Sequence, residues 1–411
     1  MRRAVVLACL AMGVSACSEP LEFADWTIPV PEGTRVIEYA AVPTEDRTGN
    51  VIEVVEDLVI GNEADPDYRF YRALGIGAAG DGTIYVYDAG NYRIQVFDAE
   101  GEFVRTIGRR GGGPGEMSRD GGHFVVGEET LYHHDGQGTL TSWDRRSGTG
   151  RYKGGVGADR FLWDFGVTDA GEMFAIHTAP EPSGDALVRA VARVGSDTYQ
   201  LISMLPSSSP LMLRRTSAGG VRSVNTRLPA PESDFAVDPK DGVYFTAGVE
   251  YQIARVSADG TWNWALRVAW PRLPVEEADI EDSMENMRDT MPDAMRSEVD
   301  WPEHLPALSI ASKWMQTWDT RHPLRLDGNG NLYVFPLIAA DKVDDPQERD
   351  PAVMRPVDVY SPDGELLFAG MMPEISWADA EGEYVYGLKF DRAVEEQRAV
   401  RYRIRRPWLQ R

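Results

Sequence analysis

Cysteine is almost absent from this 411-residue sequence. Only Cys9 and Cys17 occur, both close to the N-terminus, so the rest of the chain can form no disulfide of its own. A chain of this length must then take its stability from a large hydrophobic core. The sequence also lacks a run of 18 apolar residues, which excludes an ordinary transmembrane helix.

Basic residues are the second shortage. The chain has 42 Lys and Arg against 65 Asp and Glu, a formal net charge of −23. This excess of negative charge repels the phosphates of nucleic acids and anionic lipid headgroups. The composition therefore argues against nucleic acid as a partner and against attachment to a membrane by charge.

The first residues resemble the signal of a bacterial lipoprotein. A pair of arginines precedes the apolar run Ala4–Val14, and Ser15-Ala16-Cys17 completes a sequence similar to a lipobox. The resemblance implies a signal peptide over residues 1–16 and a lipid such as palmitate on Cys17. It also implies a place in the cell envelope, on the outer membrane and facing the periplasm. Residues 17–33 are expected to form a tether. An ordinary secretory signal with a chance cysteine is the alternative.

Three glycines imitate a nucleotide-binding turn. Gly75, Gly77 and Gly80 spell G-x-G-x-x-G, but a dinucleotide site needs a helix to follow, whose N-terminus holds the pyrophosphate. Here an Asp-Gly turn and the β-branched and aromatic run Thr83–Tyr87 follow, which predict a strand. We therefore expect no nucleotide at this motif.

A turn followed by a short strand recurs along the chain. The copies are DGTIYV (81–86), GEETLYH (127–133), DAGEMFA (169–175), DGVYF (241–245), GNGNLYV (328–334) and EGEYVYG (381–387). Sheets repeated in this way bury their faces when they are arranged radially around an axis. The pattern predicts an all-β fold, a six-bladed β-propeller over residues 34–411. The strand-like segment 51–61 is expected to close the last blade.

Residues 75–117 resemble an NHL repeat. The likeness rests on the glycine-rich start, the Ile-Tyr-Val strand and the sequence Arg-Ile-Gln-Val-Phe at 93–97, and it is partial over 233–262 and 323–368. Similarity to the NHL and TolB-like propellers implies the six-bladed fold. It does not imply an activity.

One segment interrupts the repeats between the fourth and fifth blades. In residues 272–320, Ile280, Met284, Met287 and Met291 fall at helical spacing, which predicts a helical insertion. We expect this insertion to cover a face of the propeller. The alternative is a surface rich in Met and Trp for a partner or an apolar ligand.

The candidate site follows from aligning the blades, because the sequence contains no familiar catalytic motif. The first residues of the inner strands of a propeller surround one mouth of its central channel. The residues at or next to these positions are Arg72, His123, Trp163, Asp164, Asp234 and His322. Two imidazoles and two carboxylates, from His123, Asp164, Asp234 and His322, could bind zinc or another divalent ion. Similarity to NHL-like lyases and gluconolactonase-type propellers implies channel-bound metals.

Two further predictions concern residues outside this set. The turn at Asp327, Asn329 and Asn331 starts like a calcium loop but has Ile338 where a bidentate Glu is needed. His133 and His134 are expected at the surface.

The sequence leaves two functional classes open. The first is a lipid-anchored binding or scaffold module for a protein, peptide or glycan. The alternative is a metal-dependent hydrolase or lyase with its site at the channel mouth.

Overall fold

The computed structural model of the chain describes residues 23–136, 138–155, 162–180, 187–195, 198–205, 212–217, 220–225, 233–270, 285, 288–289, 296, 299–300, 324–336, 354–391 and 396–410. Across these ranges the protein is an all-β, six-bladed propeller. No helix in this part of the chain has both the length and the apolar character needed to cross a membrane.

The elements follow each other in a regular order along the chain. The N-terminal segment contributes β1 (Val36–Ala40), the single turn α1 (Thr44–Arg47) and β2 (Glu53–Ile60). Blade one contains β3 (Ala73–Ala78), β4 (Ile84–Asp88), β5 (Arg93–Phe97) and β6 (Phe103–Ile107), and blade two contains β7 (His123–Val126), β8 (Thr130–His134), β9 (Thr139–Asp144) and β10 (Gly150–Gly155). Blade three contains β11 (Leu162–Val167), β12 (Met173–Pro180), β13 (Leu187–Val194) and β14 (Tyr199–Leu205).

The second half of the chain adds three blades and a small extra sheet. A hairpin of β15 (Met212–Ser217) and β16 (Gly220–Asn225) precedes blade four, which contains β17 (Asp234–Val237), β18 (Val243–Thr246), β19 (Gln252–Val256) and β20 (Trp262–Ala269). After β21 (Val299–Asp300) comes blade five, with β22 (Leu324–Leu326), β23 (Leu332–Val334), β24 (Met354–Tyr360) and β25 (Leu366–Pro373). Blade six contains β26 (Asp379–Glu381), β27 (Tyr384–Asp391) and β28 (Glu396–Arg405), and short 3₁₀ turns occupy Ala89–Asn91 and Pro407–Gln410.

In each blade the first strand is innermost, and the strands follow one another in antiparallel order toward the outside. Each inner strand contacts the inner strands of neighbouring blades, as β3 does with β26 and β7. We call the end of a blade where its inner strand begins the mouth end. The end where the inner strand turns into the second strand is called the far end.

Large side chains fill the spaces between the blades. Trp143, Trp264 and Tyr333 are fully buried in separate clusters, each of which draws residues from adjacent sheets. The strands are rich in Val, Ile and aromatic residues because such side chains pack well on a pleated surface that is covered on both faces. This packing holds the ring together without disulfides.

The glycines of the G-x-G-x-x-G motif serve this packing. Gly75 and Gly77 lie in β3, and a Cβ on Gly77 would lie 2.7 Å from Val126 Cγ2 on one side and 2.8 Å from Asp379 Oδ2 on the other. A Cβ on Gly75 would lie 2.8 Å from the Cβ of Phe124. The motif therefore allows the inner strands of blades six, one and two to approach closely, and the strand β4 follows it where a nucleotide site would need a helix.

The ring is closed as predicted from segment 51–61. Strand β2 pairs antiparallel with β28 and becomes the outer strand of blade six, so the N-terminal part of the chain completes a sheet formed by the C-terminal part. This prediction is confirmed.

The rest of the N-terminal segment packs on the blades, which corrects part of the tether predicted over residues 17–33. Ile28 is buried in the cluster between blades three and four, and Thr27 N donates a hydrogen bond to Gln252 Oε1. Strand β1 adds to the outer edge of blade four in parallel with β20. The segment folds against the sheets because it carries the apolar and β-branched side chains that their open edges can bury. Residues 23–33 thus belong to the domain, and residues 17–22, with Cys17 and the signal over 1–16, lie outside the described residues.

The extra sheet joins two segments that leave the propeller at the mouth end. Strand β15 pairs with β16 and with β21, and β21 belongs to the segment between blades four and five. The hairpin of β15 and β16 was not predicted. Most of 272–320 lies outside the described residues, so the helical insertion stays a prediction.

Candidate functional site

The described members of the predicted site set lie in or next to the inner strands, toward the mouth end. His123 and Asp234 are the first residues of β7 and β17, and Asp164 is the third residue of β11. Arg72 directly precedes β3. His322 lies outside the described residues.

Trp163 occupies a bulge in β11. The pairing with β12 shifts between Leu162 and Asp164, so Trp163 is the extra residue, and its side chain is not described. The same irregularity occurs in β3, where the pairing shifts between Ala73 and Gly75 and Leu74 is exposed. Bulges redirect side chains at the ends of strands. Here they alter the edge of the mouth in two blades.

His123 and Asp164 form the central contact of the site. Nδ1 of His123 lies 3.2 Å from Oδ1 of Asp164, which joins blade two to blade three. The two side chains are 40% and 26% exposed, so the pair is open to solvent at the mouth. Burial of the ring disfavours its charged form, but the hydrogen bond to Asp164 and its negative charge outweigh this and raise the pKa of His123. A carboxylate on Nδ1 leaves Nε2 as the ring nitrogen available to a ligand.

A second ionic pair joins Arg72 to Asp120, which precedes His123 by three residues in the chain. Nη1 of Arg72 lies 3.1 Å from Oδ2 of Asp120, and a second guanidinium nitrogen donates to the backbone oxygen of Asp120. Both side chains are about half exposed. Arg72 has a φ of 57°, in the left-handed region that a residue with a Cβ seldom occupies. The surrounding contacts thus hold Arg72 in a conformation that places its side chain against the segment leading into blade two.

Asp234 makes a contact between two blades. It is almost fully buried, and its Oδ2 accepts a hydrogen bond from the backbone nitrogen of Leu324 at 3.2 Å. The contact links the inner strands of blades four and five. Within the described ranges, no three His, Cys, Asp or Glu side chains are placed to hold one metal ion. The four-ligand set therefore stays a prediction that depends on His322.

The turn that resembles a calcium loop is held by the chain itself. Asp327 accepts hydrogen bonds from the backbone nitrogens of Asn329 and Asn331, and its Oδ2 lies 2.8 Å from Nε of Arg406. The guanidinium of Arg406 thus compensates the charge of this carboxylate. The structure favours a structural role for this turn.

His133 and His134 are buried, which corrects the prediction that they lie at the surface. They are 1% and 0% exposed because β8 is the second strand of its blade and is covered on both faces. Burial lowers the pKa of both, that of His134 to about 4, and so favours the neutral form of each ring. Nδ1 of His134 accepts a hydrogen bond from Gly136 N, which places the ring proton on Nε2. This arrangement argues against His134 as a metal ligand through Nε2.

The mouth contains an exposed aromatic residue that the sequence did not single out. Tyr71 is 67% exposed, and its backbone nitrogen donates to Asp88 Oδ1 at 2.7 Å. Gly90 N donates to Tyr71 O, and a Cβ on Gly90 would lie 2.3 Å from the ring atom Cδ1 of Tyr71. The ring therefore packs against a glycine and keeps much of its surface in solvent.

The far end of the channel has a different charge. Burial and the carboxylates of Glu128 and Asp238 raise the pKa of Asp169. Burial and the carboxylates of Asp169 and Glu128 raise the pKa of Glu381, against the opposing charge of Lys240. Acidic groups thus crowd one end of the channel, whereas two of the described carboxylates at the mouth, Asp120 and Asp164, are paired with basic side chains.

Sequence reasoning missed Asp120 and Tyr71 because neither occupies a repeated position. Both lie in the connections that lead into a blade, where the sequence does not repeat from one blade to the next. The glycine at 90, in an otherwise strand-rich region, was the available signal for the close approach of a neighbouring group.

Comparisons with known proteins agree on the fold. The DUF5128 family model, described as a 6-bladed beta-propeller, matches residues 78–138. A comparison with curated proteins gives no match.

Several solved structures are similar to this chain at low identity. A protein of Bacteroides fragilis NCTC 9343 described as exported is 11% identical, with a TM-score of 0.49 over 90% of this chain and 99% of that one. A member of the duf4221 family from Bacteroides vulgatus is 11% identical, with a TM-score of 0.45 over 86% and 98% of the two chains. Virginiamycin B lyase from Staphylococcus aureus is 9% identical, with a TM-score of 0.37 over 86% and 99%. At these identities the likeness concerns the fold alone.

Proposed function

We propose that this protein is an NHL-type propeller of the bacterial envelope that binds a ligand at the mouth end of its channel, over blades one to three. The main support is that two ionic pairs, Arg72 with Asp120 and His123 with Asp164, join successive blades at this end. Both pairs are solvent-accessible and bridge one blade to the next. Paired side chains keep a fixed geometry, so little ordering would be needed on binding.

The anchor is part of the same proposal. A lipid on Cys17 would hold the domain at a membrane, and the docked segment from residue 23 onward would leave five residues between the lipid and the fold. Metabolic labelling with a palmitate analogue tests this directly. The wild type should carry the label and the Cys17→Ser variant should not, and an unlabelled wild type would refute the anchor while leaving the binding proposal intact.

The binding proposal is tested with variants at the mouth. The Arg72→Ala and His123→Ala variants should lose binding to whichever member of a panel of oligosaccharides and peptides the wild type binds in titration calorimetry. Arg405→Ala is the matched control, because Arg405 pairs with Glu53 at 2.9 Å with similar exposure on the outer edge of blade six. Binding that is unchanged in both mouth variants would place the site elsewhere.

A second function, a metal-dependent hydrolase or lyase, is favoured by one observation. His123 has a carboxylate on Nδ1, the arrangement that orients an imidazole to act as a base through Nε2. A metal analysis of the purified domain, repeated for His123→Ala and His322→Ala, tests this function. Stoichiometric zinc or calcium that both variants lose would support it, and a protein that neither contains nor binds metal would exclude it.

A further inference from the structure

Two pairs of a basic and an acidic side chain lie at the mouth of this chain, whose net charge is −23. Arg72 faces Asp120 at 3.1 Å, and His123 faces Asp164 at 3.2 Å. Each pair presents hydrogen-bond donors and acceptors side by side. A ligand at this mouth therefore meets polar groups of both kinds rather than a field of one sign.

Tyr71, which directly precedes Arg72 in the chain, adds an exposed aromatic side chain at the mouth. Its backbone is fixed by hydrogen bonds with Asp88 and Gly90, and its ring packs on the position where Gly90 lacks a side chain. Asp88 is itself fully buried and is held by Arg93 at 2.9 Å. The backbone of Tyr71 is thus fixed and its ring lies against Gly90 while most of the residue stays exposed, which leaves an aromatic surface on which a ligand can stack.

We propose that the mouth binds a neutral carbohydrate chain, which stacks on Tyr71 and forms hydrogen bonds with the Arg72–Asp120 and His123–Asp164 pairs. This rests on the proposed binding function and names its ligand class. A sugar ring has an apolar face of C–H groups for an aromatic ring, and its hydroxyls both donate and accept. Paired ionic side chains and an exposed tyrosine match this combination.

The two charged alternatives fit less well. An acidic ligand would approach the carboxylates of Asp120 and Asp164, whose cations are already engaged. A basic ligand would find a more favourable field at the far end, among Glu128, Asp169 and Glu381. A neutral ligand is neither repelled by the carboxylates at the mouth nor attracted to the acidic far end.

The test is a calorimetric titration of the mature domain with short cello-, malto- and xylo-oligosaccharides. Oligogalacturonate is the acidic counterpart and oligolysine the basic one. At least one neutral sugar should bind, with an affinity that changes less than about twofold between low and physiological salt because no net charge is neutralised. Tyr71→Ala should weaken this binding by about fivefold or more, the loss typical of a contact residue at the centre of a site. Asp164→Asn should weaken it as well.

Controls separate the site from the fold. Tyr152→Ala removes another partly exposed tyrosine, on the outer strand of blade two, and should leave sugar binding unchanged. Circular dichroism of each variant reports whether the sheets are intact. If Tyr71→Ala does not fold, Tyr71→Phe should fold and retain sugar binding, because it keeps the ring.

The outcomes are distinct. If only the acidic or basic probe binds and the mouth variants abolish it, the carbohydrate proposal is wrong and the binding function stands. If no neutral sugar binds, the carbohydrate proposal is equally wrong. If a sugar binds but no mouth variant weakens it, both the ligand assignment and the proposed site are wrong.

Discussion

The replacement Arg47→Ala tests how the N-terminal segment holds the ring. Arg47 follows β1, and its side chain is 1% exposed. Its Nη1 lies 2.7 Å from Oδ1 of Asp358, which is 3% exposed and belongs to blade five, and its Nε donates to the oxygen of Val42. The guanidinium also stacks on Trp270, at the end of blade four. One side chain thus connects the N-terminal segment to two blades.

The expected cost of this replacement is large. Removing one partner of a buried ion pair leaves the other charge without compensation, which destabilises a protein by about 3 to 5 kcal/mol. Arg405→Ala is the control, since Arg405 also connects the N-terminal segment to a blade, through Glu53, but is 60% exposed. Exposed pairs contribute about 0 to 1 kcal/mol. The two variants should therefore differ by at least about 2 kcal/mol in the free energy of unfolding.

The difference in the free energy of unfolding between the two variants should also depend on pH. Burial raises the pKa of Asp358, against the charge of Arg47 and hydrogen bonds from Arg47 and Tyr251. An aspartate with a raised pKa in the folded state lowers stability as pH rises from about 4 through that raised value. Without Arg47 the pKa should rise further, so the Arg47→Ala variant should lose more stability at pH 8 than at pH 5.

Urea denaturation followed by tryptophan fluorescence measures both effects. The double variant Arg47→Met, Asp358→Leu should recover most of the loss, because it removes both charges and keeps apolar volume. An Arg47→Ala variant no less stable than Arg405→Ala would refute the reasoning. It would mean that the N-terminal segment lies on the blades without stabilising them.

Three further outcomes follow from other contacts. Gly77→Ala places a Cβ 2.7 Å from Val126 Cγ2 and should lower the free energy of unfolding by about 1 to 3 kcal/mol, measured by the same denaturation. Burial raises the pKa of Asp379 to about 7, so the wild type should lose stability as pH rises from about 4 to about 7, and Asp379→Asn should flatten that fall. The pKa of His123, measured by NMR of its ring, should lie above the ordinary value and fall in the Asp164→Asn variant. The stabilisation that protonated His123 contributes to the fold is complete below about pH 6.5 and is lost as pH rises through the raised pKa.

The blades were predictable because each one repeats the same local chemistry. An Asp-Gly turn followed by β-branched and aromatic residues determines a strand from neighbouring residues alone, as at 81–86. Alignment of these units also located the mouth, because the inner strand precedes each such turn. His123 and Asp164 were brought together by this reasoning without any knowledge of distances.

Contacts that join distant parts of the chain were not predictable in the same way. Strand β1 pairs with β20, more than 200 residues later, and nothing in either sequence specifies the partner. The burial of His133 and His134 depends on the blades that cover β8 on both faces. A polar pair in a short strand resembles a surface strand until its neighbours are known.

The two ends of the channel differ in what the fold requires of their residues. At the far end the repeated aspartates hold the turns: Asp81 accepts from Thr83 N, and Asp327 accepts from Asn329 N and Asn331 N. Those carboxylates are needed wherever the turn recurs, so their presence says little about function. Among the described residues at the mouth, Arg72 and Asp120 lie outside the repeated units, and Arg72 combines its pairing with Asp120 with a φ of 57° that is unfavourable for a residue with a Cβ. Side chains that the repeat does not require, in a conformation that costs stability, are the ones most readily explained by a ligand.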